Sequence, residues 1–236
     1  MPFMRIDKLI SQQGFGSRKE VKAILKNREV TVDGHVVTKP ETRIDPEAAA
    51  IYVGDVLIEY EKYVYIMMHK PARVISATYD DEDTTVIDLL EGKHQWMSLF
   101  PVGRLDKDTT GLIILTNDGE LAHRLTHPGH NVEKLYIAKV SKPLDKDDVV
   151  TFGKGIAIDG RSTRPAGLKP ITADGRTAEI TLREGRNRQI RKMFDALGNN
   201  VSALKRVAIG QISLGDLKPG TYRHLTREEV AYLKEL

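Results

Sequence analysis

Apolar residues in the later part of this chain gather into strand-length runs, and that spacing constrains the fold more than any other feature. The stretch YVYIMMHKPARVIS, beginning at Tyr63, reads as a buried strand that stops at Pro71, because proline has no N–H to give to a sheet ladder. Similar runs recur at Gly111–Leu115, Leu135–Val140, Ala178–Arg183 and Val201–Val207, separated by helical segments. Runs this short suit strands inside a core; a membrane-spanning helix needs about 20 apolar residues. The expected class is α+β, in a soluble chain of two modules.

The opening segment has a different pattern. Ile6, Leu9 and Ile10 recur at helical spacing until Gly14 and Gly16 interrupt them. Ser17 with Glu20 forms a capping box that restarts the helix, and Val21, Ile24 and Leu25 give that second helix its apolar stripe. Val30, Val32 and Val36 alternate around Asp33-Gly34, the signature of a type I′ hairpin turn. Residues 44–62 read as a closing strand followed by a linker. At the other end Thr226 and Glu229 form another capping box, which fixes a short terminal helix.

Composition excludes several chemistries. The chain has no cysteine, which removes disulfides, thiolate nucleophiles and cysteine-based metal sites. No glycine-rich loop is followed by Lys-Ser/Thr, and no G-x-S-x-G elbow is present. His123 and His127 share a helix face at a spacing that can bind zinc, but Arg124 stands where a metalloprotease has its glutamate, and Pro128-Gly129 ends the helix. No metal is expected. The N-terminus lacks a signal-peptide pattern, so the expected location is the cytoplasm.

The net charge of +3 is unevenly distributed. Residues 1–43 hold nine bases against five acids, and residues 182–206 hold seven bases against Glu184 and Asp195. Two basic islands point to a polyanionic partner. In the second island, Asn187 is placed to cap a helix ending at Gly198, with Ile190, Met193, Phe194 and Leu197 as its buried stripe and Arg188, Arg191, Lys192 and Asp195 on the adjoining face.

RIDKLI, GSRKEVKAIL and VTVDGHVV, in that order over residues 4–43, resemble the S4 RNA-binding domain. The resemblance implies a small α-L fold over residues 1–60 with its linker, with Arg18, Lys19 and Lys22 as phosphate contacts. Such contacts position RNA without reading its sequence.

GRLDKDTTGLIILTNDG, together with HKPARVIS, EKLYIAKV and EGRNRQIRKMF, is similar to the RsuA/RluA-type pseudouridine synthases over nearly all of residues 63–236. This resemblance implies a catalytic domain over residues 61–236 built on a mixed, mostly antiparallel sheet. It makes Asp106 the catalytic aspartate, Tyr136 the active-site tyrosine and Arg191 the cation that keeps the aspartate ionised. Ile190 would line the uracil pocket, Arg104 would hold RNA with the target base flipped out, and Arg188 and Lys70 would bind substrate. No cofactor is implied. Asp108 and Lys107 are expected to be solvated loop residues. The first motif of the family usually reads Asn-Lys-Pro-x-Gly, whereas this chain has His69 and Arg73 at its ends; arginine is not expected to take the positive φ that glycine allows there.

An S4 domain joined to this module in a short chain is more similar to the small-subunit ribosomal branch of the family than to longer large-subunit relatives. The implied partner is ribosomal RNA, 16S rRNA within an assembling small-subunit particle, acted on by a monomer with no membrane association. The alternatives are a 23S rRNA target and a non-catalytic ribosome-assembly factor. Intact Asp106, Tyr136 and Arg191 argue against the last.

Overall fold

The structure is a computed structural model that describes residues 3–236. The chain divides into two compact units, one running to Val64 and joined by Leu90–Phe100, the other comprising Tyr65–Leu89 and Pro101–Leu236.

In the first unit, β1 (Met4–Arg5) leads into α1 (Ile6–Gln12) and α2 (Arg18–Lys26), followed by β2 (Val30–Val32), β3 (His35–Val36), β4 (Arg43–Ile44), β5 (Ile51–Val53) and β6 (Val56–Leu57). The Ser17/Glu20 capping box is formed in full. Asp33 and Gly34 both adopt positive φ, as a type I′ turn between β2 and β3 requires. Ile6, Leu9, Ile10, Val21 and Leu25 bury one face of the helices against Val30, Ile44, Ile51 and Ile58, each contributing roughly 1.5–3 kcal/mol of transfer free energy. Residues 44–62 depart from the expected strand and linker. They form a second hairpin, β5 pairing with both β2 and β6, because Gly54 supplies a turn at φ 58° and Ile51 and Ile58 are both drawn into the core.

Asp7 is fully buried in this unit, with Arg5 and Arg18 donating to its carboxylate at 3.0 Å each. Burial alone would raise this acid, but the two guanidiniums outweigh it and hold the carboxyl below its ordinary value.

The second unit contains β7 (Tyr65–Lys70), β9 (Thr110–Thr116), α3 (Gly119–Thr126), β10 (Lys134–Val140), α4 (Lys146–Lys154), β11 (Ala157–Ile158), β12 (Arg161–Ser162), β13 (Gly167–Pro170), β14 (Thr177–Leu182), α5 (Gln189–Ala196), β15 (Val201–Ile209), β16 (Ile212–Ser213), β17 (Tyr222–His224) and α6 (Arg227–Glu235); β8 is Phe100–Pro101. Its sheet runs β13-β14-β10-β15-β9-β7-β17. The β15–β9 contact is parallel and its neighbours along that path are antiparallel. Every residue of β7 is buried, as are Gly111–Thr116 of β9, so these strands are covered on both faces and read as continuous apolar runs. Helix α5 is anchored by buried Ile190, Met193 and Phe194, and Phe194 meets Phe152 of α4 with ring centroids 5.0 Å apart. The Thr226/Glu229 capping box starts α6. Among the described residues no helix is long and apolar enough to cross a membrane.

Candidate active site

Asp106 lies on the loop that enters β9, and both of its sequence neighbours are pinned. The Ser76 hydroxyl accepts from the Leu105 N–H and donates to the Leu105 carbonyl, each at 3.0 Å. The Lys107 carbonyl accepts from the Arg73 N–H at 2.9 Å and from Lys70 Nζ at 3.1 Å. The Asp106 carbonyl closes a turn by accepting from the Thr109 N–H at 3.0 Å. Bonds on both sides hold the Asp106 backbone in place, and catalysis needs geometry more than charge.

Gly111 joins this loop to the sheet. It has φ +106°, and a Cβ there would stand 2.1 Å from the Arg206 carbonyl oxygen. Only glycine allows the approach that pairs Gly111 with Arg206 and Thr110 with Lys205 in the parallel β9–β15 contact.

Between the Asp106 loop, the sheet face of β10 and β15, and the segment entering α5 lies a cavity of about 390 Å³. Tyr136, Arg206 and Lys134 share the sheet wall because β15 carries a bulge. Leu135 is opposite Ala208, yet Tyr136 is opposite Arg206, so one residue is skipped. Without that skip, strand alternation would turn Arg206 to the other face.

Of the residues singled out from the sequence, Asp106, Tyr136, Arg104, Ile190 and Arg188 line this cavity. Two others do not. Among the described residues Arg191 makes no ion pair with Asp106: its Nη1 donates to the Val201 carbonyl at 2.8 Å and its buried Nε has no partner. The reason is the start of the helix. Asn187 is not the cap; Arg188 occupies that position in a left-handed conformation, φ 51° and ψ 32°. Arg188 is therefore turned toward the cavity, with Nη1 3.9 Å from Asp106 Oδ2, while Arg191 lies farther around α5 and meets the start of β15. A non-glycine residue in this conformation is under strain of the kind that collects at functional sites.

Lys70 is the second correction. It is fully buried and bonded to the carbonyls of Pro71, Val74 and Lys107, so it clamps the Asp106 loop and does not reach the cavity. Burial, opposed by the charges of Asp108 and Asp106, pushes its ammonium down to about 8. Arg73 overturns a further expectation, since it does adopt the positive φ of the family's glycine, at 67°. Its N–H bond to Lys107 supports that conformation. Lys107 is exposed and pairs with Asp83 at 2.5 Å.

In the first unit Lys19 and Lys22 are exposed on α2. Arg18 is also largely exposed, but its guanidinium is shared with Asp7.

Sequence reading missed Arg206 and Lys134. Lys134 was within reach, because it stands two residues before Tyr136 on the same strand and period-two alternation places both on one face. Arg206 needed the bulge. Burial, reinforced by the charge of Arg206, pushes Lys134 down to about 8, so the two cations act on one another.

Among the described residues the cavity is walled by several cations and one carboxylate, and with the basic helix-and-hairpin module this suits an enzyme acting on a polyanion such as RNA. Known proteins say which kind. Residues 64–196 match the family model described as RNA pseudouridylate synthase, and residues 4–49 match the S4 domain model. An uncharacterized RNA pseudouridine synthase of Bacillus subtilis is 41% identical over 98% of this chain and 99% of its own length. Ribosomal small subunit pseudouridine synthase A of Escherichia coli is 39% identical, covering 97% of this chain and 99% of that protein. Ribosomal large subunit pseudouridine synthase B of Bacillus subtilis is 37% identical, over 98% and 96% respectively. A crystal structure of a pseudouridylate synthase matches with a TM-score of 0.68 and 33% identity over 98% of this chain and 99% of that one. The chain belongs to the RNA pseudouridylate synthase family, with an S4 domain at its N-terminal end.

Proposed function

We propose that this enzyme converts a uridine of 16S ribosomal RNA to pseudouridine, with Asp106 as the catalytic carboxylate and no cofactor. The observation that carries the reading is the pinned Asp106 loop at the wall of a uridine-sized cavity, opposite Tyr136 and beside Arg188. The reaction redistributes bonds within one nucleotide, with no net oxidation or reduction, so its own residues suffice. Asp106 acts on the sugar. Arg188, whose Nη1 stands 3.9 Å from Asp106 Oδ2, is the cation paired with it. Tyr136 stacks on the uracil and faces its carbon 5, and Ile190 closes the pocket against the ring. Arg104 and Arg188, exposed at the rim, hold the phosphates of the flipped nucleotide, whose extrusion from the stack costs roughly a few kcal/mol. Lys19, Lys22 and the free side of Arg18 add phosphate contacts from the S4 domain. The protein works as a cytoplasmic monomer.

The likeness to the small-subunit synthase of Escherichia coli supports the 16S target. A 23S target is the second reading, favoured by similar coverage of the large-subunit relative. Asp106→Asn should abolish conversion while leaving RNA affinity nearly unchanged; a variant that converts uridine at the parent rate removes Asp106 from the chemistry. Pseudouridine maps of both rRNAs, with and without the gene, decide the target.

A further inference from the structure

We infer that Arg206, with Lys134 beside it, forms a cationic floor that takes up the negative charge of the uracil ring when its bond to ribose breaks. The inference deepens the proposed function and rests on the Asp106 cavity being the uridine site.

Arg206 is only 3% exposed yet lines the cavity. Its Nε donates to the Leu112 carbonyl at 2.8 Å, while its buried Nη2 has no partner. Among the described residues no carboxylate pairs with it; Asp106, the one acid of these that lines the cavity, has Arg188 as its ion-pair partner. Lys134 spends one donor on the Val132 carbonyl at 2.9 Å and, among the described residues, makes no ion pair. A buried guanidinium beside a half-buried ammonium, with no counter-ion, is costly, and an electron-rich group arriving in the cavity offsets that cost.

The reaction delivers such a group. When C1′–N1 breaks, the bonding electron pair stays with the base, giving a uracil anion with its charge shared over N1, O2 and O4, while the Asp106 carboxylate takes up the electron-poor C1′ as an ester whose C1′–O bond breaks, freeing the carboxylate, when C5 attacks. When C1′ bonds to C5, the proton lost from C5 is balanced by one gained at N1, so the ring is neutral again. The anion exists only in between. A donor aimed at charge that develops during the reaction accelerates it, and removing one such donor typically lowers kcat by about 10²- to 10³-fold. A backbone phosphate is the weaker fit, because Arg104 and Arg188 stand exposed at the rim and Arg206 lies beneath them beside Tyr136.

The test uses the full-length protein and two free bases as competitors: uracil, and 5-nitrouracil, which is ionised near neutral pH. The parent should prefer 5-nitrouracil by about tenfold or more, as expected for a charge-assisted contact, and Arg206→Met should lose that preference while Arg206→Lys keeps part of it. Single-turnover conversion should fall about 10²-fold or more in Arg206→Met with RNA affinity unchanged, and about tenfold in Lys134→Met. A parent without preference for the anion overturns the inference, and it decides alone if Arg206→Met does not fold. So does a folded Arg206→Met that converts uridine at a near-parent rate, or one whose loss lies in RNA affinity, which would make Arg206 a phosphate contact. Asp106→Asn should keep the anion preference although it converts nothing; conversion by that variant would instead refute the reading of the site itself.

Discussion

Gly111→Ala tests whether the close approach of β9 to β15 holds the Asp106 loop against the cavity floor. Two effects add. An L-residue forced to positive φ costs roughly 1–2 kcal/mol, and φ +106° lies beyond the favoured left-handed well. The new Cβ would stand 2.1 Å from the Arg206 oxygen and 2.7 Å from its nitrogen, both backbone atoms, and overpacking of this kind costs typically about 1–3 kcal/mol. The sum is about 2–5 kcal/mol, which predicts amide exchange roughly 30-fold to several thousand-fold faster in peptides covering β9 and β15 wherever exchange tracks the opening of this unit. Peptides from α1 and α2, in the other compact unit, serve as the internal control. Conversion should fall as well, because Asp106 and Arg206 lose their common anchor. Exchange within about threefold of the parent, equivalent to under roughly 0.7 kcal/mol, would falsify the claim that glycine is required here.

Lys70 loses its proton as pH rises through about 8, and the neutral amine then has two N–H donors for three carbonyls. The single-turnover rate should therefore fall above about pH 8, and Lys70→Met should start lower with a flatter alkaline limb; an unchanged limb would assign it to Lys134 instead. In the S4 domain, Asp7 has a depressed folded pKa, so its contribution to stability is present above the ordinary value of 3.8 and lost as pH falls through the lower folded value. Arg18→Ala removes one of its two cations and should move acid unfolding of that unit to higher pH; coincident acid transitions would contradict this. Lys19→Ala combined with Lys22→Ala should reduce the salt dependence of RNA affinity by about 0.7–0.9 in log–log slope for each phosphate that is no longer neutralised, and an unchanged slope would make that helix face a bystander.

The contrast between Arg188 and Arg191 marks where sequence reading stopped. Both lie in the basic segment, on a helix that the sequence caps at Asn187, and the family resemblance favours Arg191 as the partner of the aspartate. The choice is made by a backbone turn of Arg188 into the left-handed region, which no periodicity announces. Arg73 carries the same lesson in reverse, since its positive φ is sustained by a hydrogen bond to Lys107, a residue distant in sequence.

What the amino-acid order determined by itself was local: the Ser17/Glu20 and Thr226/Glu229 capping boxes, the Asp33-Gly34 turn and the buried runs that became β7 and β9. These depend on contacts within a few residues or on strand alternation. Tertiary structure decided which cation stands beside Asp106, what Lys70 grips, and that Arg206 faces inward. Each of those depends on register between segments far apart in the chain, where a one-residue bulge or a single backbone turn moves a side chain from one face to the other at an energy too small to leave a pattern in the sequence.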